Sequence, residues 1–89
     1  MPYRSELKRE AVRDLRRLPA RDAVRIAAAI KALEDDPFPR GALKLSGSSP
    51  PVWRLRVGEY RIIYGVSTQR EIIFVEAILR RTSQTYERF

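Results

Sequence analysis

The spacing of apolar residues changes once along the chain, from a helical period to a period of two. Tyr3, Ser5 and Leu7 alternate with polar neighbours and predict a short strand over residues 2–7, its apolar face interrupted by Ser5. Ala11, Leu15 and Leu18 then recur at i, i+4 and i+7 with Val12 beside them, among Arg, Lys, Glu and Asp. That is an amphipathic helix with one wet face. Pro19 ends it or opens the next helix, where proline is tolerated at the first position. Residues 20–36 read as a second helix with Ala23, Ile26, Ala27, Ile30 and Leu33 as its stripe, and Ala27, Ala28 and Ala29 permit close packing. So short a break predicts an antiparallel helical hairpin. Asp35 and Asp36 are misplaced at the negative end of a helix dipole and read as turn initiators before Pro37. Loops follow over residues 37–41 and 46–51.

From Val52 the alternation is strict: Trp53, Leu55 and Val57 interleave with Arg54 and Arg56. Gly58-Glu59 is a two-residue hairpin turn, with glycine first as type II′ requires. Strands are predicted over residues 60–66 and 71–79, joined by a tight turn at 67–70. The first turn sets Val57 opposite Tyr60, Arg56 opposite Arg61 and Leu55 opposite Ile62. A turn centred on Thr68-Gln69 sets Ile63 opposite Phe74 and Arg61 opposite Glu76. Opposite residues share a face. One face carries Trp53, Leu55, Val57, Tyr60, Ile62, Tyr64, Val66, Ile73, Val75 and Ala77 and is expected to meet the helices. The other carries Arg54, Arg56, Arg61, Ile63, Ile72, Phe74, Glu76, Ile78 and, if the strand runs on, Arg80. The fold class is α+β, in the order β-α-α-β-β-β: an N-terminal helical hairpin packed on a small antiparallel sheet, with residues 1–89 as a single domain.

Composition narrows the chemistry. The 89 residues contain no histidine and no cysteine, which excludes Ser-His-Asp and Cys-His catalysis, thiol redox chemistry, disulfides and the usual zinc sites. A carboxylate-only metal site stays open in principle, against a charge balance that favours anions, and no cofactor is expected. No apolar run exceeds five residues, so no membrane span is expected, and a cytoplasmic location is the default. The net charge is +7, and 15 of the 18 basic residues are arginine. The excess is spread evenly along the chain, so the placement of particular arginines must identify the anionic partner.

The second sheet face supplies that placement. Like charges directly opposite destabilise a sheet, and Arg56 faces Arg61. One reading is a solvated face with an Arg61–Glu76 cross-strand pair. The other is a phosphate site, for which the planar, permanently charged guanidinium is suited. Ile63, Ile72, Phe74 and Ile78 on that face need cover, from a C-terminal segment bearing Tyr86 and Phe89 or from a partner. Tyr3, Trp53, Tyr60 and Tyr64 fall on or near the core side and offer no stacking row for a general single-strand binder.

Several stretches in order resemble the RelE/ParE toxin superfamily of bacterial toxin–antitoxin modules. They are Ala11-Val12-Arg13-Asp14-Leu15 with Leu18-Pro19; Leu33-Glu34-Asp35-Asp36-Pro37-Phe38-Pro39 followed by Lys44-Leu45-Ser46-Gly47; residues 53–64; and Arg80-Arg81 with Tyr86. The RelE-like branch implies a ribosome-dependent mRNA endonuclease without a metal, in which a ribose 2′-hydroxyl attacks the adjacent phosphate. Carried over by position, the resemblance assigns Arg54 and Arg56 to the scissile phosphate, Arg61 to the transition state, Arg80 to the leaving group and Tyr86 to the substrate nucleotide. The position of Arg56 is often lysine in the family, and arginine cannot serve as a base. Glu76 is then a candidate proton acceptor, against a structural role as an ion pair. The resemblance also implies a cognate antitoxin, the ribosome and mRNA as partners, and a higher-order toxin–antitoxin complex on operator DNA. The alternatives are a ParE-like inhibitor of DNA gyrase and a non-catalytic antitoxin-binding module.

Overall fold

The computed structural model describes residues 2–45, 47 and 50–80. The elements are β1 (Arg4–Leu7), α1 (Arg9–Arg17), α2 (Ala20–Asp35), β2 (Leu43–Leu45), β3 (Val52–Val57), β4 (Tyr60–Ser67) and β5 (Ile72–Arg80). Five strands form one sheet in the order β1-β5-β4-β3-β2. The expected α+β architecture is present, with two additions. A three-residue strand, β2, extends the sheet beyond β3, and β1 joins the opposite edge parallel to β5, with Arg4 facing Ile72 and Leu7 facing Val75. The other pairs are antiparallel.

The helices cover one face of the sheet. Ala11, Ile26, Ile30 and Leu33 close a core with Tyr60, Ile62, Tyr64, Ile73, Val75 and Ile78, bordered by Tyr3, Leu7, Leu15, Leu18 and Trp53. On α2 the stripe is narrower than expected: Ala27 is exposed, and Ala29 packs against the core instead. Pro19 is the N-cap of α2, its carbonyl accepting the Ala23 N–H at 2.9 Å. Asp35 is the last helical residue, whereas Asp36 does make the turn, its carboxylate accepting the Phe38 N–H at 3.1 Å. Ser5, the interruption in β1, donates its hydroxyl to Glu34 at 2.7 Å, so the polar group is satisfied at the edge of the core.

The β3–β4 register is the expected one, with Val57 opposite Tyr60, Arg56 opposite Arg61 and Leu55 opposite Ile62. Gly58 adopts φ 59, which favours glycine, and a Cβ there would lie 3.0 Å from Nη2 of Arg25, so a larger residue would also have to displace that guanidinium.

The β4–β5 register differs. The loop is longer than expected, Ser67 pairs with Ile72, and Glu71 carries the positive φ of 57. Val75 then faces Tyr64 while Ala77 faces Ile63, which leaves Glu76 as the extra residue of a β-bulge. An extra residue reverses the alternation beyond it. Ile78 therefore enters the core under the helices, and Ala77 and Leu79 move to the opposite face. There they form a second buried cluster with Val52 and Ile63, flanked by Leu45.

Candidate anion-binding face

Arg54, Arg56 and Arg61 lie on the sheet face away from the helices. Their placement follows from strand alternation and from the Gly58-Glu59 turn, which locks the register between them. Arg56 is directly opposite Arg61, and Arg54 is two residues from Arg56 along β3, roughly 6.6 Å. Arg56 is exposed, Arg54 half-buried, and Arg61 only 8% exposed. The Arg54 Nε is buried with no hydrogen-bond partner among the described residues. A guanidinium stays charged whatever its burial, so this face holds fixed positive charge over a rigid apolar floor of Ile63, Ala77 and Leu79.

The bulge corrects two expectations. Arg61 is opposite Leu79, not Glu76, so the anticipated cross-strand pair is not formed by register. Arg80 pairs with Tyr60 and shares its face, with its guanidinium 5.6 Å from the Tyr60 ring centroid. It is thus separated by the sheet from the other three arginines and does not converge with them. Tyr86 lies outside the described residues, as does Phe89.

Around Arg80 the structure gathers groups that the sequence did not single out. The Tyr60 hydroxyl donates to Asp22 on α2 at 2.9 Å, and Arg25 of the same helix lies against Gly58. The bond to Asp22, then burial, raises the Tyr60 pKa. Tyr64, deeper in the core, donates to the Pro37 carbonyl at 2.7 Å, and burial together with the charge of Asp36 pushes its phenol up to about 12. A second basic surface runs along α1, where Arg9, Arg13, Arg16 and Arg17 surround Val12 in a shallow groove. Among the described residues no group of three or more acids is placed to hold a metal ion, and no helix is long and apolar enough to cross a membrane.

Comparison with known proteins gives one family. The model of the ParE toxin of type II toxin–antitoxin systems (parDE) matches residues 6–85. The candidate toxin RelE1 of Methanocaldococcus jannaschii is 29% identical over 83 residues, covering 91% of this chain and 92% of that protein. RelE in the archaeal RelE–RelB complex of Pyrococcus horikoshii is 30% identical, with TM-score 0.80 over 92% of this chain and 98% of that one. A double arginine-to-alanine mutant of Escherichia coli RelE in the free state is 20% identical, and shows the same fold at TM-score 0.79 over 98% of this chain and 93% of its own. The matching model carries the ParE description while the individual relatives carry the RelE name. The chain belongs to the RelE/ParE superfamily of type II toxin–antitoxin toxins, on its RelE-like side.

Proposed function

We propose that this toxin cleaves mRNA on the ribosome, by attack of a ribose 2′-hydroxyl on the adjacent phosphate. The observation that carries the reading is the juxtaposition of Arg54, Arg56 and Arg61 on one rigid sheet face. In the reaction the 2′-oxygen bonds to phosphorus and the 5′-oxygen leaves, giving a 2′,3′-cyclic phosphate and a 5′-hydroxyl. Negative charge grows on the phosphoryl oxygens, and guanidiniums already held in place stabilise it without reorganising. DNA lacks the nucleophile, so the chemistry selects RNA. The three arginines work by charge alone, because none can take the 2′-hydroxyl proton. Arg80 and Tyr86 stand as assignments of the resemblance, and the trio carries the proposal without them.

The partner under this reading is a cognate antitoxin, as in the RelE–RelB complexes of the structural relatives. An acidic segment folding over the arginine face would neutralise it and block RNA. The pair would then bind operator DNA as a higher-order complex.

The test is cleavage of the message in programmed ribosomes, read by mapping RNA 5′ ends. Cuts within the reading frame support the proposal. Intact message at high toxin concentration, with Arg56→Ala indistinguishable from the wild type, overturns it. One observation favours a second reading, inhibition of DNA gyrase: the matching family model is described as ParE. Loss of supercoiling without RNA cleavage would establish that reading instead.

A further inference from the structure

We propose that the cavity beside the arginine face is a recognition pocket for a guanine base, read by the carboxylate of Glu76. This rests on the ribonuclease reading and adds a base preference to it. The cavity is about 310 Å³ and is lined by Phe38, Trp53, Phe74, Lys44, Glu76 and the backbone of Gly65, among others. That volume sits at the lower end of small-molecule sites and suits one base with part of its sugar.

Three features converge on that occupant. The first is the bulge. Glu76 is the residue that the β4–β5 register leaves over, and bulges commonly re-aim a side chain beside a functional site. Glu76 is partly buried and lines the cavity, and no hydrogen bond or ion pair to another described residue engages its carboxylate. The second is aromatic surface. Phe38 packs on Trp53 with ring centroids 4.8 Å apart and remains 44% exposed, which leaves aromatic surface on which a base can stack. The third is charge balance. Lys44 brings one cation to a cavity that also holds one carboxylate.

Guanine matches this set better than the other bases. Its N1–H and N2–H lie side by side and can donate together to one carboxylate, while O6 and N7 accept from an ammonium. Adenine and cytosine offer the carboxylate a single amino group, and uracil a single imide N–H. A cationic side chain of a protein partner would suit Glu76 but would meet the like charge of Lys44. The position is also right for a nucleotide. Ala77, next to Glu76, lies in line with Ile63 and Arg54 across the sheet, so its backbone is roughly 10 Å from that of Arg54, two strand spacings. A phosphate on the arginines can therefore place its own base in the cavity.

Trp53 is the sole tryptophan of the chain and lines the cavity, so its fluorescence reports occupancy directly. The whole protein is titrated with guanosine, adenosine, cytidine and uridine, which carry no phosphate to engage the arginines. Saturable quenching by guanosine at concentrations about tenfold below those of the other three supports the proposal. Glu76→Gln should bring guanosine to within about twofold of adenosine, and Phe38→Ala should weaken all four. Equal responses to the four nucleosides, no saturable response, or guanosine preference retained in Glu76→Gln overturns it. Quenching by N-acetylarginine amide in place of guanosine also overturns it and assigns the cavity to a protein side chain. The readout needs no ribosome: guanosine binding without mRNA cleavage would sink the nuclease reading alone, and cleavage without guanosine binding would sink this inference alone.

Discussion

The carboxylate of Asp14 on α1 accepts a hydrogen bond from the backbone N–H of Ile78 on β5, at 2.9 Å. The partnership is a consequence of where β1 stops. Leu7 is the last residue of β1 to pair with β5, opposite Val75, so among the described residues the outer edge of β5 beyond that point has no strand beside it. Asp14 supplies the missing acceptor and ties the first helix to the last strand. Asp14→Ala should lower stability by roughly 1.5–3 kcal/mol, the range for a charge-assisted bond to a partly buried amide. Asp14→Asn keeps an acceptor and should cost about half as much. Urea denaturation midpoints at unchanged slope would check both, and equal stability of Asp14→Ala and the wild type would count against the edge-capping role.

The turn at Gly58 makes a second expectation. Gly58→Ala forces a Cβ into a left-handed backbone and against the Arg25 guanidinium, and should cost roughly 1–2 kcal/mol. Arg25→Ala in the same chain should recover the steric part. A double-mutant cycle by thermal or urea unfolding measures that coupling, and a strictly additive cycle would assign the whole cost to the backbone.

Arg56 and Arg61 should trade stability against activity. Arg56→Ala removes a like-charge cross-strand pair and should stabilise the fold by about 0.2–1 kcal/mol. The same change should reduce mRNA cleavage in programmed ribosomes by about 10²–10³, the effect of deleting one preorganised charge donor. Arg61 is buried, so Arg61→Lys is the safer probe of its fork geometry, and it should lose activity while retaining the thermal transition of the wild type. A variant both more stable and fully active would remove the case for an anion site here.

Tyrosine ionisation should weaken the fold at alkaline pH. The Tyr64 pKa is raised to about 12, and that of Tyr60 is raised in the same direction. The unfolded chain gives up these protons near pH 10 while the folded chain keeps them. Their contribution is therefore whole below about pH 10 and is lost as pH rises from there through about 12. Melting temperatures between pH 9 and 12 should fall, and Tyr64→Phe should flatten the fall. Ultraviolet titration should show one phenol ionising last, near pH 12, and missing in Tyr64→Phe.

The parts of this molecule that were legible in the sequence are those written in strong local signals. The helical stripe of Ala11, Leu15 and Leu18 and the Gly58-Glu59 turn are of this kind, and with the turn came the Arg56–Arg61 juxtaposition. What escaped depended on a single residue of register. Glu71 adopts a left-handed conformation that no glycine announces, and Glu76 bulges within a strand apolar on both faces. With Ile72, Ile73, Val75, Ala77, Ile78 and Leu79 all apolar, alternation cannot report a change of parity. Arg80 was misplaced for that reason alone. Leu43–Leu45 was missed because three residues are too few for any period, and only the pairing with Arg54, Trp53 and Val52 defines them as a strand.

The parallel pairing of β1 with β5 bears on when the toxin can begin to act. Arg4 cannot meet Ile72 until nearly all the described chain has been synthesised, and the core beneath the helices needs Ile73, Val75 and Ile78 from that same last strand. Such distant partners make assembly late and cooperative, since loop closure must precede any gain from the contacts. A chain in which β5 has not yet docked therefore lacks both the completed sheet and the apolar floor of Ala77 and Leu79 beneath the arginine face.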